Sequence, residues 1–115
     1  MKGKIYDMDH DVVIETYCGQ KHNVSLQVSS YGANGLPAIS AILENGTVWG
    51  TLTINLGKTF EKFGNFVTTV EDEFYEQLLQ QNIVFEEIIE IPYGFSRKAH
   101  LCQINMNQFN EITFN

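Results

Sequence analysis

Fourteen carboxylates, three histidines and two cysteines are the residues of this chain able to do acid–base, metal or nucleophilic chemistry. Asp7, Asp9 and Asp11 alternate, so a strand would carry all three on one face, where they could hold a cation. The calcium-loop pattern fails there. Its sixth position is Val12 rather than Gly and its twelfth is Cys18 rather than Glu, so the three read as a solvated strand face. Cys18 with His22, and His100 with Cys102, would make four zinc ligands, but neither pair has the C-x-x-C spacing of a structural zinc site. They read as buried apolar thiols and surface histidines, with no metal. A cysteine nucleophile needs an adjacent base, and no family signature surrounds either cysteine. Gly32-x-x-Gly35 has neither the lysine nor the helix of a phosphate loop. The pairs Glu73/Glu76 and Glu86/Glu87 could serve as acid and base only in a cleft that gives them opposed environments. Their segments read as solvent-facing.

What remains is a concentration of charge. Eight acids fall between Glu61 and Ile91: Glu61, Glu71, Asp72, Glu73, Glu76, Glu86, Glu87 and Glu90. Only Lys62 opposes them there, so this stretch carries the whole formal −7, and elsewhere six acids balance six bases. A local field of one sign steers a partner of the other sign. It also argues against direct binding to nucleic acid, whose phosphates it would repel. Four carboxylates between residues 71 and 76 span about 9 Å of helix. B-DNA carries about five charges over that length, so imitation of nucleic acid is physically open. The plainer reading is that Glu71, Asp72 and Glu73 serve a helix N-terminus and solubility.

The elements that must position these groups follow from periodicity. At 115 residues, 43% hydrophobic and 12% aromatic, the chain reads as a single domain, 1–115, with a core. No apolar run spans a membrane, and MKGKIYDMDHD lacks the apolar region of a signal peptide, so the expected location is cytoplasmic. Two reduced thiols fit that compartment. Val12–Tyr17 reads as a strand. Val24, Leu26 and Val28 alternate with Ser25, Gln27 and Ser29, the period of a half-buried strand. Tyr31–Gly35 reads as a turn. Ile39, Ala41 and Leu43 lead into Asn45-Gly46, a type I′ hairpin signal. The return strand is expected to place Val48, Leu52, Ile54 and Leu56 on one face and Trp49, Thr51 and Thr53 on the other, with Gly50 at a bulge or a close backbone approach. Gly57–Asn65 reads as a loop. Thr69 is expected to cap a helix, with Asp72 completing a capping box. Phe74, Tyr75, Leu78 and Leu79 give that helix one apolar face, and it ends near Asn82. Ile83–Ile91 fits either a strand, with Ile83, Phe85, Ile89 and Ile91 on one face and Glu87 breaking it, or a helix. Pro92-Tyr93-Gly94 reads as a turn, Ala99–Ile104 as a last strand and Met106–Asn115 as a tail. The class is α+β: an antiparallel sheet of about four to six strands packed on one principal helix.

The run YGANGLPAISAILENGTVWGTLTINL, then FVTTVED, QNIVFEE and GFSRKAHLCQI, resembles a family known only as domain of unknown function 4313, over roughly Val24 to Ile104. The best match is Gly50–Leu56, similar to the family's ATLTVNL strand, with Gly50 in place of its alanine. The resemblance implies an α+β domain carried by phages, plasmids and conjugative elements of bacteria, without enzymatic activity, cofactor or catalytic residues. Small acidic proteins of such elements often look like inhibitors of host defence, including CRISPR nucleases. The function expected is therefore a non-enzymatic inhibitor that meets the basic surface of a host nucleic-acid-binding protein through Glu71, Asp72, Glu73, Glu76, Glu86, Glu87 and Glu90. The alternatives are a small ligand-binding or enzymatic domain with Trp49, His22 or His100 in a pocket, and a homo-oligomeric module, such as a homodimer, paired through strand edges. Within the acidic set, Glu76, Glu86, Glu87 and Glu90 have no helix-start role and read as the better markers of a partner surface.

Overall fold

In a computed structural model of the chain, which describes residues 4–30, 36–56 and 63–112, the strand predicted from alternation is the centre of a sheet. It is β3 (Lys21–Ser30), with Val24, Leu26 and Val28 buried and the residues between them half-exposed. β1 (Tyr6–Asp7) and β2 (Val12–Glu15) pair in turn along one side of β3, and β4 (Pro37–Leu43) pairs along the other. β5 (Val48–Thr51) closes that edge. A second sheet runs β6 (Val67–Glu71), β8 (Arg97–Gln103), β7 (Ile89–Tyr93), with β8 central. One helix, α1 (Asp72–Gln80), follows β6 without a loop. The α+β class holds, with strands dominant and every strand pairing among the described residues antiparallel.

The two sheets are joined by the chain after β5. Leu52 N–H donates to Ile39 O (2.8 Å), Ile54 N–H to Thr69 O (2.9 Å) and Glu71 N–H to Leu52 O (3.1 Å), so one segment bonds to β4 and β6. The core beneath draws Ile14, Leu26 and Ile39 from the first sheet, Leu52 from the joining segment, Val70 and Cys102 from the second sheet, and Phe74, Tyr75 and Leu78 from α1. Each large aliphatic side chain buried there contributes about 1.5–3 kcal/mol. α1 is also tied to the free edge of β2. Gln77 Nε2 donates to Glu15 O (2.7 Å) and its Oε1 accepts from Glu15 N–H (2.6 Å), while Gln81 Nε2 donates to Val13 O (3.0 Å).

Several local expectations are corrected. Asn45-Gly46 does turn the hairpin, but only Gly46 has positive φ (+86°), and Leu43 N–H donates to Thr47 O (2.8 Å). That is a three-residue loop with glycine in the left-handed position, not a type I′ turn. A bulge follows: Ala41 pairs with Gly50 but Ile42 with Val48, leaving Trp49 as the extra residue. A one-residue slip swaps faces. Val48 is therefore 59% exposed, while Trp49 packs on the core, edge-on to Phe74 at 6.0 Å. Thr53 is buried like Leu52 before it, and its Oγ1 accepts from Ile39 N–H at 3.3 Å. Nothing crowds Gly50, so it marks the bulge and not a close approach.

Thr69 does not cap the helix. Val67-Thr68-Thr69-Val70 is a β-branched run that stays in the sheet, and the Thr69 hydroxyl donates to Ile54 O at 2.5 Å. The cap position falls to Glu71, which makes no side-chain capping bond. The apolar face is as expected, with Phe74, Tyr75 and Leu78 buried and Leu79 half-buried, and the chain leaves the helix at Gln81 and Asn82, where φ is +62°. The segment after it is neither a whole strand nor a helix. Ile83 and Val84 are buried, Val84 bridging Ile104, whereas Phe85 and Ile89 are about half-exposed, and regular pairing starts only at Ile89. Pro92 and Tyr93 belong to β7, and the turn is Gly94–Ser96. The tail returns to the first sheet: β9 (Asn110–Glu111) pairs with β1. Asp7 alone of the three N-terminal aspartates lies in a strand, so no three-carboxylate face forms. The expected turn at 31–35, most of the loop at 57–65 and Glu61 lie outside the described residues.

Candidate functional site

Where α1 begins, the central strand of the second sheet presents His100 to the carboxylates of two other elements. The imidazole is nearly buried, its side chain 6% exposed. Nε2 lies 2.7 Å from Asp72 Oδ1 on the first turn of α1, and Nδ1 lies 2.5 Å from Glu87 Oε2 on the segment before β7. Tyr75 stacks on the ring at 4.2 Å and 11°, and its hydroxyl accepts from Glu87 N–H at 2.7 Å. A carboxylate oxygen only accepts, so holding both bonds requires a proton on each ring nitrogen. The state that fits is an imidazolium between two carboxylates. Burial by itself lowers the His100 pKa, but the hydrogen bonds and charges of Asp72 and Glu87 outweigh it and the net direction is upward. The same contact is the main cause of the depressed Asp72 pKa.

Around this centre the acids predicted as site residues are distributed unequally. Glu71 pairs with Arg97 (2.8 Å) and accepts from the Tyr93 hydroxyl (3.2 Å). Asp72 also accepts from the Tyr17 hydroxyl (3.2 Å) and has Lys98 at 3.8 Å. Glu73 accepts from Tyr17 N–H (2.8 Å), which fixes the β2–β3 hairpin tip against α1. Glu90 is exposed beside Lys98 (3.6 Å), and Glu87 is half-buried on His100. Among the described residues, Glu76 and Glu86 have no ion pair or hydrogen-bond partner for their carboxylates, and both are exposed. Glu71, Asp72, Glu73 and Glu90 line one groove of about 390 Å³ with Arg97 and Lys98; Tyr17, Pro92 and Tyr93 form its walls. Burial raises the pKa of both tyrosines, so both stay neutral hydroxyl donors to the acids.

Glu87, Glu90 and His100 also place their ligand atoms within 4.8 Å of one another, the one such group among the described residues. The spacing is that of a hydrogen bond, not a metal. Two tetrahedral zinc ligands at about 2.0–2.1 Å from the ion stand roughly 3.3 Å apart, well beyond the 2.5 Å between Nδ1 and Oε2. Lys98 beside Glu90 opposes a second cation there. A histidine bonded through both nitrogens has no lone pair for general-base work in this state. The arrangement binds and orients charge.

Cys18, His22, His100 and Cys102 are not brought together. Cys18 is exposed near the β2–β3 turn, and Cys102 is buried, its thiol pushed up to about 12 by desolvation. His22 packs on Trp49 at 5.2 Å, and neither residue lines the groove. Sequence reasoning missed His100 as the hub, with Tyr17, Tyr75, Tyr93, Arg97 and Lys98 as its companions. Two signals were available. Lys98 and His100 share one face of a strand, and Glu87 is the residue that breaks the apolar alternation of 83–91.

No family model, curated protein or solved structure matches this chain. Among the described residues, no helix is long and apolar enough to cross a membrane.

Proposed function

We propose that this chain is a small non-enzymatic, cytoplasmic protein of a bacterial mobile element or phage. It binds the basic surface of a host nucleic-acid-binding defence protein, in the manner of an inhibitor of CRISPR nucleases. The observation that carries the reading is the gathering of Glu71, Asp72, Glu73 and Glu90 around one groove and of Asp72 and Glu87 around one histidine. Seven carboxylates against Arg97, Lys98 and a protonated His100 leave four negative charges uncompensated. Such a face attracts a basic groove made for phosphates and makes association fast and salt-sensitive. Its internal ion pairs hold side chains in place before docking, which lowers the ordering cost of binding. The mobile-element origin rests on the resemblance of residues 24–104 to the uncharacterised family.

The test is reversal of Glu76 and Glu86 to lysine. Neither carboxylate has a partner among the described residues, so the fold is expected to survive, whereas reversing Glu73 would also release the Tyr17 amide. Affinity for a partner recovered from the host bacterium should fall, and its salt dependence should flatten. Unchanged affinity and an unchanged salt slope defeat the proposal. A ligand-binding reading is favoured by one feature, the tyrosine-walled groove. Tyr17→Ala would abolish small-molecule binding there while leaving a purely electrostatic partner surface largely active.

A further inference from the structure

His100 fastens three elements through one ring. It belongs to β8, it reaches the first turn of α1 through Asp72, and it reaches the segment before β7 through Glu87. That segment has little else to hold it. It has no regular strand pairing, Phe85 and Ile88 are exposed, and its other bonds are Phe85 N–H to Gln103 O (2.9 Å), Ile88 N–H to Leu101 O (2.7 Å) and Glu87 N–H to the Tyr75 hydroxyl (2.7 Å). A neutral imidazole has one N–H. It would set a lone pair against a carboxylate at hydrogen-bond distance, at a site where water has almost no access to the ring. One contact must then open. Asp72 keeps Tyr17 and Lys98 as further partners and sits on a helix, whereas Glu87 sits on an irregular segment, so the Glu87 contact is the weaker one.

We infer that His100 is a proton-operated clamp: charged, it locks segment 85–88 to β8 and α1, and neutral, it releases Glu87 and that segment with it. The groups facing the ring agree with a charged resting state. They are Asp72 and Tyr75 from α1, Glu87 from the segment, and Glu90, which pairs with His100 across β7. Glu71 neighbours Val70, the residue paired with His100 from β6. On β8 itself, Lys98 lies near Asp72 and Glu90, and Cys102 stays a neutral thiol. The upward direction of the His100 pKa places release on the alkaline side of the ordinary histidine value. Release changes the acidic face twice over, by adding one negative charge and by loosening Glu86 and Glu87. The inference does not depend on the proposed partner, and its test uses the chain alone, so the two fail separately.

The experiment is a pH titration of the isotope-labelled protein by NMR, reading the ring nitrogens of His100 and the amide exchange of Glu86, Glu87 and Ile88. Exchange is corrected for its intrinsic pH dependence. At pH 6 both ring nitrogens should be protonated, and the midpoint should lie above about 6.5. Through that midpoint the corrected exchange of the segment should rise at least tenfold, while Leu26 of β3 stays unchanged. Glu87→Gln should lower the midpoint and remove the pH dependence of the segment. A ring carrying a single proton at pH 6, a midpoint at or below the ordinary value, or segment protection that is the same on both sides of it overturns the clamp. The wild-type titration decides this even if the variant does not fold.

Discussion

Replacing Glu87 with glutamine should cost about 1–2 kcal/mol of stability at pH 6 and almost nothing at pH 9. Glutamine keeps an acceptor oxygen for His100 Nδ1–H, so the change removes charge with little loss of shape. Two unit charges about 4 Å apart attract by roughly 4 kcal/mol at an effective dielectric constant near 20. Glu87 is about one-third exposed, with side-chain exposure of 32% against 6% for His100. Screening and the desolvation already incurred by both ions reduce the net value by at least half. The difference between a charge-assisted hydrogen bond, about 1.5–3 kcal/mol, and a neutral one, about 0.5–1.5 kcal/mol, leads to the same figure. For a chain of 115 residues that corresponds to a melting-point drop of roughly 4–8 °C.

The pH window fixes the sign. A histidine whose folded pKa is raised contributes stability that is fully present below its unfolded value, about 6.5, and lost as pH rises through the folded value. The gap between wild type and Glu87→Gln should therefore be widest near pH 5–6.5 and close on the alkaline side. Below that window Asp72 reverses the trend. Its folded pKa is depressed, so its contribution is present above about 3.9 and lost as pH falls through the folded value. Urea unfolding followed by fluorescence of Trp49 is the assay, because the single tryptophan packs against Phe74 of α1 and loses that contact on unfolding. A gap of equal size at pH 6 and pH 9 would show that the contact does not depend on a charged imidazole. No gap at pH 6 would show that the Glu87 contact contributes nothing to stability.

Two further outcomes test the local structure. Gly46→Ala should destabilise by about 1 kcal/mol in the same urea assay, and Gly46→Asn by less, because φ is +86° and nothing lies within 4 Å of an added Cβ; equal losses would contradict a backbone cause. One cysteine should react with a thiol reagent in the native protein and two in denaturant, because Cys18 is exposed and Cys102 is buried with its thiol pushed up to about 12; two fast equivalents in the native state would contradict the packing of β8.

Much of the fold was legible where period and packing agree. β3 alternates because one face is wet and one dry, and α1 shows its apolar stripe because only one side meets the core. Legibility failed where a backbone irregularity sets the register. The bulge at Trp49 exchanged inside for outside over two residues, and nothing in the order Val-Trp-Gly states that a residue goes unpaired. It failed again at Thr69, where a capping pattern competed with a β-branched run and the sheet won because β8 was there to pair with it. β8 itself is buried at Ala99, His100, Leu101 and Cys102, on both faces, so its histidine could not be read as a surface residue or as a hub from alternation alone. The acids were visible as a group, but their partners come from residues 97–100 and from the β2–β3 turn, which only tertiary structure brings near.

The placement of those partners divides the acidic stretch by strength of attachment. Asp72 and Glu87, each about one-third exposed, hold a nearly buried cation, and removing that cation would leave the two carboxylates with no counter-charge between them. Glu71–Arg97 and Glu90–Lys98 are different, since Arg97 and Lys98 are 58% and 46% exposed. Exposed pairs of this kind contribute about 0–1 kcal/mol. A partner's lysine or arginine can therefore take the place of Lys98 at Glu90, or of Arg97 at Glu71, with little loss to the fold. The displaced side chains swing to solvent, and a cation arriving at Glu71 gains a carboxylate already oriented by the Tyr93 hydroxyl. In the proposed docking, then, the buried pair around His100 maintains the shape of the face, the exposed pairs are exchangeable, and Glu76 and Glu86 supply attraction at a distance. Charge alone does not separate these three roles; burial does.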